Sequence, residues 1–174
     1  MPNPLPSLDY LRTHLDYDPE SGDLTWAYGR GGVSKGKRAG HLNKKQGMWQ
    51  VMLERRSYLA HRLIWKLMTG EDPPSLIDHI NHDPSDNRWE NLRAATSGQN
   101  NQNKRGWGKL LKGVSKSTCG VTYEAKINVD GVKYHLGCFQ TEEEAHQAYC
   151  RASAKLHGEF GCIEKALDLE RRRG

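Results

Sequence analysis

Short apolar stripes separated by polar turns run through the N-terminal part of the chain. Ser7 is suited to cap a short helix in which Leu8, Leu11 and Leu15 lie on one face. The segment YDPESGDLTW, residues 17–26, contains Asp-Pro and Ser-Gly pairs that are typical of turns. The pattern therefore predicts a short helix followed by a turn that enters a strand.

The next apolar stretches predict a β-hairpin and then a helix. MWQVMLERRSYLAH alternates like two strands, with Arg55 and Arg56 near the hairpin tip. HRLIWKLMTG follows as a short helix that ends at Gly70, and Pro73-Pro74 prevents its extension. The apolar stripe of this helix consists of Leu63, Ile64, Leu67 and Met68.

Strand-like alternation returns in the C-terminal third of the chain. TYEAKINV places its apolar residues on one face, and Asp130-Gly131 is a strong signal for a two-residue hairpin turn. VKYHLGCF resumes the alternation, and GVSKSTC predicts a third strand. Four side chains of the second hairpin strand are expected to point inward: Val132, Tyr134, Leu136 and Cys138.

A longer helix is predicted after these strands. Thr141 and Glu144 have the spacing of a capping box, and Gly158 marks the end of the apolar stripe. This helix is expected to cover one face of the sheet. The other face stays open and polar, with Lys126, Asn128, Lys133 and His135.

Composition favours two small domains over one large core. The chain has 174 residues, of which 36% are hydrophobic, and its mean hydropathy is −0.84. The segment KRGWGKLLKG is rich in Gly and Lys and has no clear period. We therefore predict domains at residues 1–105 and 112–168, joined by a linker at residues 106–111.

Positive charge is concentrated in one segment of the N-terminal domain. The whole chain has a net charge of +5. Residues 30–62 contain one acid, Glu54, and nine basic residues: Arg30, Lys35, Lys37, Arg38, Lys44, Lys45, Arg55, Arg56 and Arg62. This focused charge indicates a polyanionic partner, most often nucleic acid, although a solvated basic face without a ligand is the alternative. The glycine-rich loop GRGGVSKGKRAG can settle onto a phosphate backbone.

Membrane and disulfide-rich classes are not indicated. No apolar run reaches the roughly 18 residues that span a bilayer, and the N-terminus MPNPLPSLDYLR lacks the features of a signal peptide. We expect a soluble, intracellular protein without a membrane partner. Its four cysteines, at positions 119, 138, 150 and 162, form no C-x-x-C pair. Reduced, partly buried thiols are therefore expected rather than a zinc site.

Candidate catalytic side chains are dense in IDHINHDPSDNRWENLRAATSGQNNQN, residues 77–103. Phosphodiester hydrolysis needs a base for water, oxygen ligands for a divalent cation and positive charge around the phosphate. Asp78 and His79 lie together on a short apolar strand, and both reach one site only if the strand end twists. Thr96 and Gln99 form a second capping box, which starts a helix with Asn100 in its first turn.

This stretch, preceded by YLAHRLIWKLMTG, resembles the HNH homing endonucleases of phages and mobile introns. The resemblance covers roughly residues 20–103 and implies a ββα-metal site. It implies that His79 is the general base and that Asp78 and Asn100 hold one Mg²⁺ or Mn²⁺ ion. It further implies that Asn91 accepts a hydrogen bond from the imidazole of His79, and that Asn87 braces the loop. Asn100 stands where many relatives have His, which favours a hard cation.

The C-terminal segment KGVSKSTCGVTYEAKINVDGVKYHLGCFQTEEEAHQAYCRASAKLHGEF is similar to the AP2 DNA-binding domain. This resemblance implies a three-stranded antiparallel sheet backed by one helix, whose exposed sheet face enters the major groove. The complete set of expected DNA-binding residues is then Arg30, Lys35, Lys37, Arg38, Lys44, Lys45, Arg55, Arg56, Lys126 and Lys133.

Together the resemblances imply an α+β protein, in which an HNH nuclease module precedes an AP2-like domain. The expected function is metal-dependent hydrolysis of double-stranded DNA without an organic cofactor. The alternative is a sequence-specific DNA-binding regulator whose HNH-like part is a non-catalytic scaffold. One active site per chain, and the lack of a heptad or long apolar stripe, favour a monomeric nickase. The expected location is the cytoplasm, that of the host cell if a phage encodes the protein.

Overall fold

The computed structural model of the protein describes residues 4–29, 31–103, 110–118, 120–129 and 131–161. Within them the chain forms two compact units that divide between Thr96 and Ser97. None of the helices in these ranges is long and apolar enough to cross a bilayer. Arg30, Asp130, Cys119, Cys162 and most of the predicted linker lie outside the described residues. The predicted domain bounds stay predictions.

The first unit alternates short helices and antiparallel strands, as the apolar pattern predicts. Its elements are α1 (Leu8–His14), β1 (Leu15–Tyr17), β2 (Leu24–Trp26), β3 (His41–Asn43), β4 (Met48–Leu53), β5 (Arg56–Leu59), α2 (Ala60–Thr69), β6 (Leu76–His79), a 3₁₀ turn (Trp89–Asn91) and β7 (Leu92–Ala95). Three sheets result, with strand orders β1-β2, β3-β4-β5 and β6-β7.

Local signals explain how the helices of the first unit begin and end. The predicted cap of α1 is confirmed, since the Tyr10 N–H donates to Ser7 Oγ at 3.2 Å. Gly70 ends α2 in the left-handed region, and its N–H donates to Lys66 O. Leu63 and Ile64 are fully buried in the core, whereas Met68 of the predicted stripe is 40% exposed.

One apolar core holds the first unit together. Side chains from α1, β1, β2, β4, β5 and α2 meet in it, and the buried members are Leu11, Leu15, Leu24, Ala39, Val51, Leu53, Tyr58, Ala60, Leu63, Ile64 and Leu92. Leu92 is the first residue of β7, and Ile77 of β6 packs against the same cluster. The β6-β7 hairpin is therefore anchored to the core of this unit.

The second unit contains α3 (Ser97–Asn103), β8 (Val114–Lys116), β9 (Tyr123–Val129), β10 (Val132–Phe139), α4 (Glu142–His157) and a 3₁₀ turn (Gly158–Phe160). Its antiparallel sheet has the order β10-β9-β8, and α4 packs on it through Tyr149 and Ile127. The predicted capping box is confirmed, because Glu144 N–H donates to Thr141 Oγ1 and Thr141 N–H donates to the Glu144 carboxylate. A mixed α and β architecture with small antiparallel sheets is thus present in both units.

Three of the four β10 side chains that were expected to point inward are exposed. Val132 and Tyr134 pair with Val129 and Ile127 and so share the face that packs against the core, but they are 54% and 49% exposed at the edge of the sheet. Cys138 is exposed for another reason. A β-bulge between His135 and Gly137 inserts one extra residue, so Cys138 pairs with Glu124 on the outer face. Leu136 alone remains half-buried against the core.

A substitution at Gly40 tests how closely its backbone packs against β4. Its φ is +85°, and a Cβ there would lie 2.1 Å from Gln50 O of β4. We expect Gly40→Ala to lower the free energy of unfolding by about 2–4 kcal/mol, from the left-handed backbone and the overpacking together. Gly36 is the matched control, since its φ is +76° and nothing lies within 4 Å of its Cβ position. Gly36→Ala should cost about 1 kcal/mol, and equal losses in denaturant melts would contradict the assigned packing.

Candidate active site

The hairpin of β6 and β7 brings a charged pair and a histidine to the interior of the first unit. In its register Asp78 pairs with Arg93 and His79 with Leu92. Asp78 is 5% and His79 8% exposed. Two adjacent polar side chains are therefore buried on a short strand whose preceding residue, Ile77, packs on the core.

Arg93 neutralises the buried carboxylate of Asp78 from the neighbouring strand. The Arg93 Nε–H donates to Asp78 Oδ2 at 2.8 Å, and its second guanidinium nitrogen lies 2.7 Å from the same oxygen. A charge in a protein interior requires such a partner. Sequence analysis missed Arg93, although it is the single charged residue of β7 and the signal was therefore present.

His79 is held in a buried position by an amide and packed against a second imidazole. Its Nε2 lies 3.3 Å from Asn87 Oδ1, and its ring is perpendicular to that of His61 with centroids 5.2 Å apart. Burial lowers the pKa of His79, an effect opposed by the Asn87 hydrogen bond and by the charge of Asp78. The imidazole is consequently neutral at neutral pH.

His61 packs beside His79 as an uncharged imidazole. Burial, together with the neighbouring His79 and Arg62, lowers the pKa of His61 to about 3. His61 lies in the first turn of α2 and is 6% exposed. It therefore adds no positive charge next to the candidate base.

The two loop asparagines have the opposite contacts from those implied by the HNH resemblance. Asn87, expected to brace the loop, touches the imidazole of His79. Asn91, expected on that imidazole, braces the loop instead: its Oδ1 accepts from Asn81 N–H at 2.9 Å, and its Nδ2 donates to Asp86 O at 2.8 Å. Asn91 ends the 3₁₀ turn, which directs its side chain across the loop. The two amides thus exchange their expected contacts, and their roles in catalysis stay predictions.

The loop between β6 and β7 is ordered by polar contacts because it carries few apolar residues. Asn81 Nδ2 donates to Asp86 Oδ2 at 2.7 Å, and Arg88 donates to both oxygens of the same carboxylate. The Arg88 hydrogen bond lowers the pKa of Asp86, which stays ionised. His82 also belongs to this loop and has a φ of +63°.

The first hairpin fixes the backbone that carries Asn87. Tyr17 Oη–H of β1 donates to Asn87 O at 2.8 Å, and burial is the main cause that raises the pKa of Tyr17 to about 12. The phenol therefore keeps its donor proton. Gly22 approaches the same backbone so closely that a Cβ would lie 2.5 Å from Arg88 N and 2.7 Å from Asn87 C. Sequence analysis identified neither Tyr17 nor Gly22, since both act over long sequence separations.

Other residues of the expected site and of the expected DNA-binding set lie on other elements. Asn100 is on α3, which belongs to the second unit, so its pairing with Asp78 stays a prediction. Arg38 forms an ion pair with Asp23 at 2.7 Å and stacks over Trp49. Lys126 forms an ion pair with Glu124. Seven further basic side chains of the expected DNA-binding set are exposed: Lys35, Lys37, Lys44, Lys45, Arg55, Arg56 and Lys133.

The oxygen donors fit a hard divalent cation in their chemistry. Asp78 offers a carboxylate and Asn100 an amide oxygen, and Mg²⁺ and Mn²⁺ prefer oxygen ligands. Because Arg93 already contacts Asp78 Oδ2, a cation on this carboxylate has to share it with a guanidinium.

Comparisons with known proteins support the HNH endonuclease family for the segment that carries this site. Residues 58–102 match the family model of HNH endonucleases. The "Uncharacterized HNH endonuclease L560" of Acanthamoeba polyphaga mimivirus is 36% identical over 107 residues, which is 60% of this chain and 56% of that protein. The chain thus spans about half the length of this relative. No solved structure matches significantly, and the AP2 resemblance stays a prediction.

The Asp78–Arg93 pair gives a direct test of this arrangement. We expect Arg93→Met to lower the free energy of unfolding by about 3–5 kcal/mol, because the carboxylate of Asp78 is left buried without its partner. Lys66 provides the control: it also bonds a carboxylate, that of Asp72, but the Asp72 side chain is 71% exposed. Lys66→Met should cost less than about 1 kcal/mol. Similar losses for both variants in urea melts would show that Asp78 is not buried as described.

Proposed function

We propose that this protein is a divalent-metal-dependent endonuclease that hydrolyses phosphodiester bonds in double-stranded DNA, with His79 as the general base. The observation that carries the proposal is the buried Asp78-His79 pair with Asn87 against the imidazole, within the segment that matches HNH endonucleases. The homing type of nuclease is part of the same proposal and rests on the sequence resemblance alone.

The contact with Asn87 selects the tautomer of His79. An amide oxygen accepts and cannot donate, so His79 Nε2 must carry the proton that points at Asn87 Oδ1. The second ring nitrogen, Nδ1, is then the basic atom of the neutral ring. A positioned imidazole in this form can take a proton from the attacking water. Asn87 thus acts on the reaction by orienting the base.

Metal binding is assigned to Asp78 and Asn100 in this proposal. These two residues would hold a Mg²⁺ or Mn²⁺ ion, which would supply positive charge for the phosphate and the leaving 3′ oxygen. Arg93 pairs with the Asp78 carboxylate and fixes its position. The ligand set is the one that the HNH resemblance implies, and the choice of a hard cation follows from the oxygen atoms of both ligands.

DNA binding is assigned chiefly to the exposed lysines and arginines of residues 30–62. They lie in the loop before β3, in the turn after it and at the tip of the β4-β5 hairpin, where Glu54 and Arg55 have φ values of +49° and +62°. Phosphate contacts of this kind hold DNA without reading its sequence. With one active site per chain, we propose a monomer that nicks one strand per encounter.

A DNA-binding regulator with a non-catalytic HNH scaffold is the second candidate. One observation favours it: the carboxylate needed for a cation is already bonded to a buried guanidinium. A scaffold, however, has no need for an amide that selects the tautomer of a buried histidine. Cleavage measurements separate the two candidates.

His79→Ala tests the proposed base. We expect cleavage of supercoiled plasmid to fall by roughly 10²–10⁴-fold, the usual contribution of a general base, while DNA affinity stays within about twofold because the base holds no phosphate in the ground state. The control is His82→Asn, which removes the imidazole of the neighbouring loop. Asn tolerates the left-handed backbone conformation of position 82.

The control variant should cleave at the wild-type rate. Wild-type cleavage by His79→Ala, in protein that melts cooperatively, would remove His79 from the mechanism. Loss of cleavage in His82→Asn, with cleavage retained in His79→Ala, would identify His82 as the general base instead.

Charge neutralisation tests the proposed DNA surface. We expect the triple variant Lys35→Gln, Lys37→Gln and Lys44→Gln to weaken binding to all duplexes alike. Each lost phosphate contact should flatten the slope of log K against log salt by about 0.9. Lys155→Gln changes an exposed residue of α4; it is the control and should leave the slope unaltered. An unchanged slope in the triple variant, measured by fluorescence anisotropy at several salt concentrations, would place the DNA elsewhere.

A further inference from the structure

Three chemically different side chains converge on the outer face of the second unit's sheet. They are Glu124 of β9 and His135 and Cys138 of β10, and one ligand atom from each lies within 4.8 Å of the others. The Cys138 Sγ lies 3.8 Å from His135 Nε2. His135 and Cys138 are exposed and Glu124 is half-buried.

The β-bulge of β10 is the reason that these side chains meet. Residues three apart in a regular strand point to opposite faces, which would separate His135 from Cys138. The extra residue between His135 and Gly137 shifts the register, so that Cys138 lies opposite Glu124 and beyond the pair of His135 and Lys126. Gly137 has a φ of +134°, a conformation that favours glycine. The backbone is therefore built in a way that places thiol and imidazole together.

The ligand set differs in kind from that of the proposed nuclease site. A thiolate, an imidazole and a carboxylate together suit Zn²⁺, whereas Mg²⁺ takes oxygen ligands. With zinc bonds of about 2.0–2.3 Å in a tetrahedron, neighbouring ligand atoms are about 3.5 Å apart. The separation of 3.8 Å between Cys138 Sγ and His135 Nε2 is close to that value.

We propose that Glu124, His135 and Cys138 bind a Zn²⁺-class divalent cation, with water completing a four-coordinate site. Binding converts the Cys138 thiol to a thiolate and releases one proton to solvent as the sulfur–metal bond forms. The two anionic ligands then balance the charge of the cation. This site is independent of the proposed nuclease function.

Lys126 is the competing group at this site. Its ammonium forms an ion pair with Glu124, and a cation on the same carboxylate displaces or shares that contact. A divalent ion held by three ligands gains more from the carboxylate than an exposed lysine does, because such a surface ion pair is weak. The bound ion would also link β9 to the edge strand β10 across the bulge.

Cobalt binding tests the proposal, since Co²⁺ substitutes for Zn²⁺ and a cobalt–thiolate bond gives a charge-transfer absorption band. Reduced, chelator-treated full-length protein is titrated with Co²⁺ and the ion is then displaced with Zn²⁺. We expect a thiolate band from one Co²⁺ at this site, to which any Co²⁺ on the oxygen ligands of the proposed nuclease site does not contribute. The band should vanish in Cys138→Ser, and affinity should fall at least about tenfold in His135→Ala and in Glu124→Gln.

Cys150 offers a matched control within the same unit. Its Sγ lies 3.3 Å from His146 Nε2, so it is also a cysteine beside a histidine. However, His146 is buried and its Nδ1 is hydrogen-bonded to Lys112 O. Among the residues that the structure describes, no third metal-binding side chain joins Cys150 and His146. Cys150→Ser should therefore keep the band.

Zinc protection of Cys138 is a second test, and it uses the wild-type protein alone, so it does not depend on whether a variant folds. One equivalent of Zn²⁺ should slow the alkylation of Cys138 by iodoacetamide at least about tenfold, read by peptide mass spectrometry, and leave Cys150 unaffected. The proposal is overturned if wild-type protein shows no thiolate band, if the band survives in Cys138→Ser, or if zinc fails to protect Cys138.

Discussion

The buried ion pair between Asp78 and Arg93 is the interaction on which the candidate site depends. It joins β6 to β7 across the hairpin and compensates a carboxylate that is 5% exposed. Without the guanidinium, the carboxylate would be buried without its partner, which would destabilise the strand that also carries His79. The pair also sets a condition on metal binding, because any cation on Asp78 shares its carboxylate with Arg93.

A second constraint comes from the polar loop that closes over His79. The loop carries few apolar side chains, so its shape comes from Asp86, Asn91 and their hydrogen bonds. The first hairpin then holds it from outside, through the phenol of Tyr17 and the close approach of Gly22. The oriented histidine is thus the product of two hairpins that are far apart in the sequence.

Local signals predicted the elements well, and long-range contacts decided the rest. The Ser7 cap, the Gly70 stop and the Thr141 capping box follow from residues within one helical turn of each other. Asp78 and His79 were found because they are adjacent in an unusual polar stretch. The exchanged contacts of Asn87 and Asn91 depend on how the loop folds back, and the exposure of Cys138 depends on one extra residue in β10. Neither feature can be predicted from the spacing of apolar and polar residues along the chain.

Metal-dependent cleavage is the central claim of this account, and supercoiled plasmid tests it most directly. Full-length protein is incubated with plasmid in Mg²⁺, in Mn²⁺ and in excess EDTA, and the nicked, linear and supercoiled forms are separated on a gel. The account predicts nicked circles in either metal and intact supercoiled DNA in EDTA. Equal cleavage in EDTA would contradict the metal assignment, and intact plasmid under all conditions, with DNA binding retained, would contradict the nuclease itself.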